Sequence, residues 1–238
     1  MLKFKKTTLN IFIALFILIE IAFTILVQTV SGTANTIVSF LAIVLACLFA
    51  FVMFSKTKDY ILTQIALLTT VCADIFLVVL DPIVQIPAMI FFSITQLCYF
   101  IRIYMLQDNK KERICHLIIR VIVIVIALIA TSIVLKENTD FLSMISMFYY
   151  ANLLTNIIFS FFIKKNYLLT LGLIFFACCD LFIGLNVLAE SYLGVEEGSL
   201  IDKLINIDFN IAWLFYVPSQ TLLALSIYKE KYQYIISK

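Results

Sequence analysis

The chain has 238 residues, of which 63% are hydrophobic and 13% charged, whereas soluble domains carry roughly 45 to 50% and 25%. That balance excludes a soluble enzyme and points to a bilayer. The net charge of +2 identifies no partner, and the basic residues read as topology signals rather than as a nucleic-acid patch.

A spanning helix needs about 20 apolar residues, and eight such runs can be drawn, at 9–30, 35–55, 60–80, 83–106, 115–135, 141–163, 166–189 and 206–228. Three prolines and five glycines fit mostly unbroken helices, because backbone polar groups in hydrocarbon must be satisfied internally. The expectation is all-α: a multi-pass transmembrane bundle of eight spans, one integral membrane domain over 1–238, with approximate halves 1–110 and 111–238.

The first run follows Lys3, Lys5 and Lys6 as in a signal peptide, but at 22 residues it exceeds the roughly 7 to 15 of a signal core. It is expected to stay as a helix. Glu20, near its midpoint, serves either packing or the site. The third and seventh runs carry Asp74 and Asp180, each 14 residues after its run begins. A charged side chain at mid-membrane costs at least about 2.5 to 3.5 kcal/mol on insertion scales, which makes both functional candidates. The fourth and eighth runs carry Gln96 and Gln220. In the sixth, Asn152 and Asn156 sit one turn apart on one face, where packing is the commoner use and lining a cavity the other. Trp213, Tyr216, Tyr192 and Tyr99 read as interface anchors or packing residues.

Alternate segments divide the basic residues 13 to 2, with only Lys136 and Lys203 on the poorer side. Lys and Arg favour cytoplasmic loops, so both termini are expected to be cytoplasmic, in a cell membrane. Arg102 and Arg120 fall near inner helix ends, where they are expected to snorkel. The six cysteines lie in or beside apolar runs and behave as small hydrophobes. His116 is the single histidine, which argues against a three-histidine zinc site and against a Ser-His-Asp triad.

The chain repeats itself. Cys72-Ala73-Asp74-Ile75-Phe76-Leu77 aligns with Cys178-Cys179-Asp180-Leu181-Phe182-Ile183, and both Phe91-Gln96-Tyr104 and Phe215-Gln220-Tyr228 have spacings of five and eight. The distance from Asp to Gln is 22 residues in one copy and 40 in the other. An acidic outer loop with Glu190, Glu196, Glu197 and Asp202 absorbs the difference. Four helices separate the copies, so the repeat is parallel, with its axis along the membrane normal. Both aspartates then lie about 21 Å from their helix starts at 1.5 Å per residue, slightly beyond the midplane, and two carboxyls and two carboxamides could face one cavity.

The Ala73-Asp74 and Cys179-Asp180 motifs, followed by Phe92-x3-Gln96-x2-Tyr99 and by Tyr216-Val217-Pro218-Ser219-Gln220, resemble the lysoplasmalogenase (YhhN-like) membrane family. The resemblance implies cleavage of the vinyl ether of lysoplasmalogens to a fatty aldehyde and a glycerophospho-base, with Asp74 and Asp180 as the catalytic pair. It also implies a lysophospholipid substrate drawn from the surrounding membrane lipid; the polar residues of the runs, Gln96, Gln220, Tyr99, Tyr216, Asn152, Asn156 and Glu20, are the candidates to bind it, with packing as the alternative use of each. Two features depart from the family pattern: Ala73 stands where glycine is usual, and Gln96 where histidine is frequent, which removes one candidate proton donor.

The chemistry suits paired acids. Vinyl ether hydrolysis needs a proton on carbon, passes through an oxocarbenium-like cation and ends with water attack, roles that two carboxyls in different environments divide as in glycosidases. No metal or organic cofactor is needed. Two rivals stay open: a transporter using midplane acids, against which the scarcity of Gly and Pro counts, and a noncatalytic lipid-binding relative. The Tyr-Asp and Gly-x-Gly-Asp signatures of intramembrane aspartyl proteases are absent.

Overall fold

The computed structural model describes residues 6–53, 57–107, 109–163, 166–188 and 209–227. Among them are eight long helices and no strand: α1 Lys6–Thr29, α2 Thr33–Val52, α3 Lys58–Asp74, α4 Gln85–Leu106, α5 Lys110–Leu135, α6 Phe141–Ser160, α7 Tyr167–Leu188 and α8 Ile211–Leu225. The first seven, α3 counted with its continuation to Val79, are long and apolar enough to cross a membrane. The eighth is apolar but shorter, 15 residues or about 22 Å at 1.5 Å per residue. The acidic loop expected to equalise the two copies, with Tyr192, lies outside the described residues.

Local sequence sets several of these boundaries. Gly32 adopts φ 62 between α1 and α2, a left-handed conformation that glycine takes without steric cost. Asn35 turns back on that corner, its amide donating to the carbonyls of Val27 and Val30 at 2.7 and 3.1 Å, which satisfies the open end of α1. Asp140 begins α6 with a reciprocal capping box to Ser143. Gln28 and Asn210 exchange two hydrogen bonds, of 3.1 and 2.9 Å, and so tie the end of α1 to the start of α8. The first helix is thus part of the bundle.

The packing order repeats with the sequence. Within each half, successive helices touch: α1 with α2, α2 with α3 and α3 with α4, then α5 with α6, α6 with α7 and α7 with α8. Across the halves, α2 meets α8 as α6 meets α4, which is what a shift of four helices requires. The tightest seams are α3 with α4 and α7 with α8, and small residues make them. Ala66 and Gly172 each stand eight positions before their aspartate. Thr95 of α4 donates to the Ala66 carbonyl at 3.2 Å. A Cβ on Gly172 would meet Leu223 of α8 at 2.8 Å from its Cγ and 3.1 Å from its backbone nitrogen.

The two arginines do not snorkel, contrary to expectation. Arg102 is fully buried, pairs with Asp59 at 2.5 Å and donates to Ser226 Oγ at 2.6 Å. Ser226 is the repeat counterpart of Arg102, so the two copies meet here directly. Arg120 is also buried. Both found hydrogen-bond partners inside the bundle instead of reaching its surface.

Candidate active site

Asp74 is the last residue of α3, and the backbone beyond it widens into a π turn over Ile75–Val79. Such turns are rare and frequent at functional sites. The Asp74 side chain is 2% exposed. The Tyr216 hydroxyl of α8 donates to its carboxyl, 2.9 Å from each oxygen. Tyr216 is itself buried, its ring held against Trp213 and Phe176 with centroids 5.3 and 5.5 Å away. It is therefore no interface anchor.

Asp180, at the matching position of α7, is half-buried. Its Oδ2 accepts a hydrogen bond from the Tyr149 hydroxyl of α6, and its other oxygen has no hydrogen bond among the described residues. Tyr149 packs on Phe92 and Phe176, with ring centroids 5.6 and 6.3 Å away. Phe176, one turn before Asp180, touches Phe92, Tyr149 and Tyr216, so one aromatic cluster joins both acid–tyrosine pairs. The carboxyls lie within electrostatic reach of each other, and Cys179 within reach of both.

Asp74 is 16 residues into α3 and 5 from the end of the π turn, whereas Asp180, 13 into α7 and 8 from its end, stands just past the middle of its helix. Tyr216 is 5 residues into α8 and Tyr149 is 8 into α6.

A family model described as the YhhN family matches residues 34–227. The chain belongs to the YhhN family. No curated protein and no solved structure matches it. The YhhN match runs from α2 through α8 and contains both aspartates and both tyrosines, with Glu20 and the rest of α1 before it.

The remaining expected site residues of this YhhN chain divide into separate neighbourhoods. Gln96 is buried, and its side-chain and backbone oxygens accept from the Asn156 amide at 3.0 and 2.9 Å. Asn152 and Asn156 both accept from Arg120 of α5, at 2.5 and 2.6 Å. Gln220 donates to Ser219 Oγ at 3.1 Å. Tyr99 is fully buried and its hydroxyl has no hydrogen bond. Glu20, 2% exposed, lies under α8 with the Thr221 hydroxyl beside it. Tyr216 alone of this group touches a catalytic candidate.

Tyr149 was missed by sequence reasoning, although a signal existed. The repeat aligns Phe92 with Tyr216, and phenylalanine has no hydroxyl, so Asp180 needs a donor from elsewhere. Tyr149 stands one turn before Asn152 on the polar face of α6 that Asn152 and Asn156 had already marked.

Proposed function

We propose that this YhhN-family chain is a membrane-embedded hydrolase that cleaves the vinyl ether of lysoplasmalogens, releasing a fatty aldehyde and a glycerophospho-base. The observation that carries this reading is the pairing of Asp74 and Asp180, one from each half, each bonded to a buried tyrosine whose ring packs on the same Phe176. Two differently placed carboxyls are what a proton transfer to carbon followed by water attack requires.

The two acids divide the work. One, neutral, delivers its proton to the vinyl carbon away from the ether oxygen. The C=C electron pair forms the new C–H bond, and the positive charge settles between the adjacent carbon and the ether oxygen. The other, ionised, steadies this cation and then takes a proton from the attacking water. The resulting hemiacetal breaks its C–O bond to the glycerol: the second acid returns its proton to the departing glycerol oxygen while the first takes the proton of the hemiacetal hydroxyl, which gives the aldehyde and the alcohol and restores both acids. No step calls for a cofactor.

The substrate on this reading is a lysophospholipid drawn from the surrounding membrane lipid, with the protein in the cell membrane and both termini cytoplasmic. The test is to offer the purified protein alkenyl and matched acyl lysolipids in detergent and to assay aldehyde. Release from the alkenyl lipid alone is expected; no aldehyde, or hydrolysis of the acyl lipid instead, would overturn the assignment.

A further inference from the structure

Arg120 is a buried cation without an anion. It lies ten residues inside α5 and is 4% exposed, and an arginine keeps its charge at any working pH. Its Nη1 donates to Asn152 Oδ1 at 2.5 Å, its Nη2 to Asn156 Oδ1 at 2.6 Å and to His116 Nε2 at 3.0 Å. The guanidinium also lies over the Phe100 ring at 4.1 Å. Every one of these partners is neutral. Among the described residues no carboxylate lies within 4.0 Å of it, whereas Arg102, equally buried, has Asp59. Burying a charge without a counter-charge is expensive, so the two arginines pose different questions.

What the cluster leaves over is consistent in kind. A guanidinium has only donors, so His116 must accept at Nε2, and its Nδ1 then donates to Gln107 Oε1 at 3.4 Å. Gln96 likewise gives its side-chain oxygen to Asn156. The acceptors are spent on the network's own donors. Arg120 Nε, Gln96 Nε2 and Gln107 Nε2 remain, all buried and all without a hydrogen bond. Gln107 stands about 16 Å beyond Gln96 along the same helix and is joined to Arg120 only through His116, so the groups beside the charge that lack an acceptor are Arg120 Nε and the Gln96 amide, and an anion with several acceptor oxygens would serve both.

The position of the cluster says which anion. The same helix, α6, carries Tyr149, which holds Asp180, and Asn152 and Asn156, which hold Arg120. Three and seven residues separate them, a rise of about 4.5 and 10.5 Å. In a lysolipid the ether oxygen and the phosphorus are joined through the glycerol by five bonds, about 6 Å at ordinary bond lengths. A phosphodiester at Arg120 therefore brings the vinyl ether to Asp180.

We propose that Arg120, with the free amide of Gln96, binds the phosphodiester of the lysolipid and so positions its ether bond at the two aspartates. This rests on the hydrolase reading for the identity of the lipid, but the binding stands or falls separately. Arg120 also fastens α5, whose main neighbour is α6, and a purely structural arginine would move stability alone.

The experiment is equilibrium binding in neutral detergent, using an acyl lysophosphatidylcholine and the matched monoacylglycerol, which lacks the phosphate. Inorganic phosphate serves as competitor. The protein should prefer the lysophospholipid by at least tenfold, and Gln96→Leu and Arg120→Gln should each reduce that preference, the last to near unity, whereas Gln107→Leu should keep it. Gln96→Leu preserves the test if Arg120→Gln fails to fold. Competition by millimolar phosphate supports the site and shows that free phosphate also enters; absence of competition supports it with the phosphate taken only as part of a lipid. Equal binding of both lipids by the wild-type protein, or an unchanged preference in both Gln96→Leu and Arg120→Gln, would overturn the proposal. Asp74→Asn should keep the preference, so phosphate-selective binding without aldehyde release would remove the hydrolase reading and leave this site standing.

Discussion

The two halves place chemically identical acids at the same position and then treat them differently. Asp74, in the first half, takes its hydroxyl donor from α8 of the second, whereas Asp180 takes its donor from α6 of its own half. Asp74 is sealed and Asp180 is half-open. The cause is one ring atom's worth of chemistry: Phe92 stands where the repeat would put a second tyrosine. A duplicated scaffold supplies two acids at matching positions, and a broken symmetry gives them different surroundings.

The strongest way to break this comparison is to remove either acid. Asp74→Asn and Asp180→Asn keep the shape and should each lower turnover by about a thousandfold or more, given the 10² to 10⁴ typical of positioned acid–base groups. Thermal unfolding in detergent should stay near that of the wild-type protein. Retained turnover in both variants would remove the pair from the chemistry.

The tyrosines come next. Tyr216→Phe and Tyr149→Phe each delete one hydrogen bond to a carboxyl, worth about 1.5 to 3 kcal/mol when the partner is charged, so each should cost roughly tenfold to a hundredfold in kcat. Adding Phe92→Tyr to Tyr149→Phe restores the hydroxyl that the repeat lacks, and kcat should recover in part. A double variant no better than Tyr149→Phe would show that the repeat register does not carry over to the donors.

The seams offer a stability test. Gly172→Ala pushes a methyl group against Leu223, whose backbone nitrogen cannot step aside as its side chain can. Overpacking of this kind costs about 1 to 3 kcal/mol, so thermal unfolding should move to lower temperature. Ala66→Gly at the equivalent place in α3 introduces no clash, and its smaller effect sharpens the contrast between the seams.

The smallest effect is at the start of α6. The Ser143 backbone N–H donates to Asp140 at 2.8 Å, and that bond, with the Ser143 hydroxyl, holds the Asp140 carboxyl below its ordinary range. Its folded value is lower than its unfolded one. The stabilisation is therefore complete above the unfolded value, about pH 4, and is lost as pH falls through the lowered folded value. Asp140→Asn should therefore lower stability slightly at neutral pH, leave it unchanged below the lowered folded value, and so flatten the acid limb of a stability–pH curve.

Much of the fold was legible because apolar run length and rare charges speak directly. The eight helices fall close to their expected runs, and Asp74 and Asp180 stand out because an acid in lipid is costly and because the repeat ties them together. Tyr216 was named through the family patch around Pro218, although without its partner. What stayed hidden depends on which face of a helix turns inward. Tyr149 lies well inside α6 and has no counterpart in the repeat pattern around the two aspartates, so it passed unnoticed. Arg120 looked able to reach the surface, because nothing in α5 alone reveals that Asn152 and Asn156 of α6 stand opposite. Gln96 and Gln220 match in spacing yet have different partners, since a shared register fixes where a side chain starts and its neighbours decide what it meets.

The central claim, that an acid inside the bundle puts a proton on carbon, can be read from the product. Alkenyl lysolipid turned over in D2O, with the aldehyde trapped as it forms, should give one deuterium on the carbon next to the carbonyl, and Asp74→Asn and Asp180→Asn should each slow its release by about a thousandfold. Aldehyde without that deuterium, or labelled aldehyde at an undiminished rate from both Asp74→Asn and Asp180→Asn, would contradict the account.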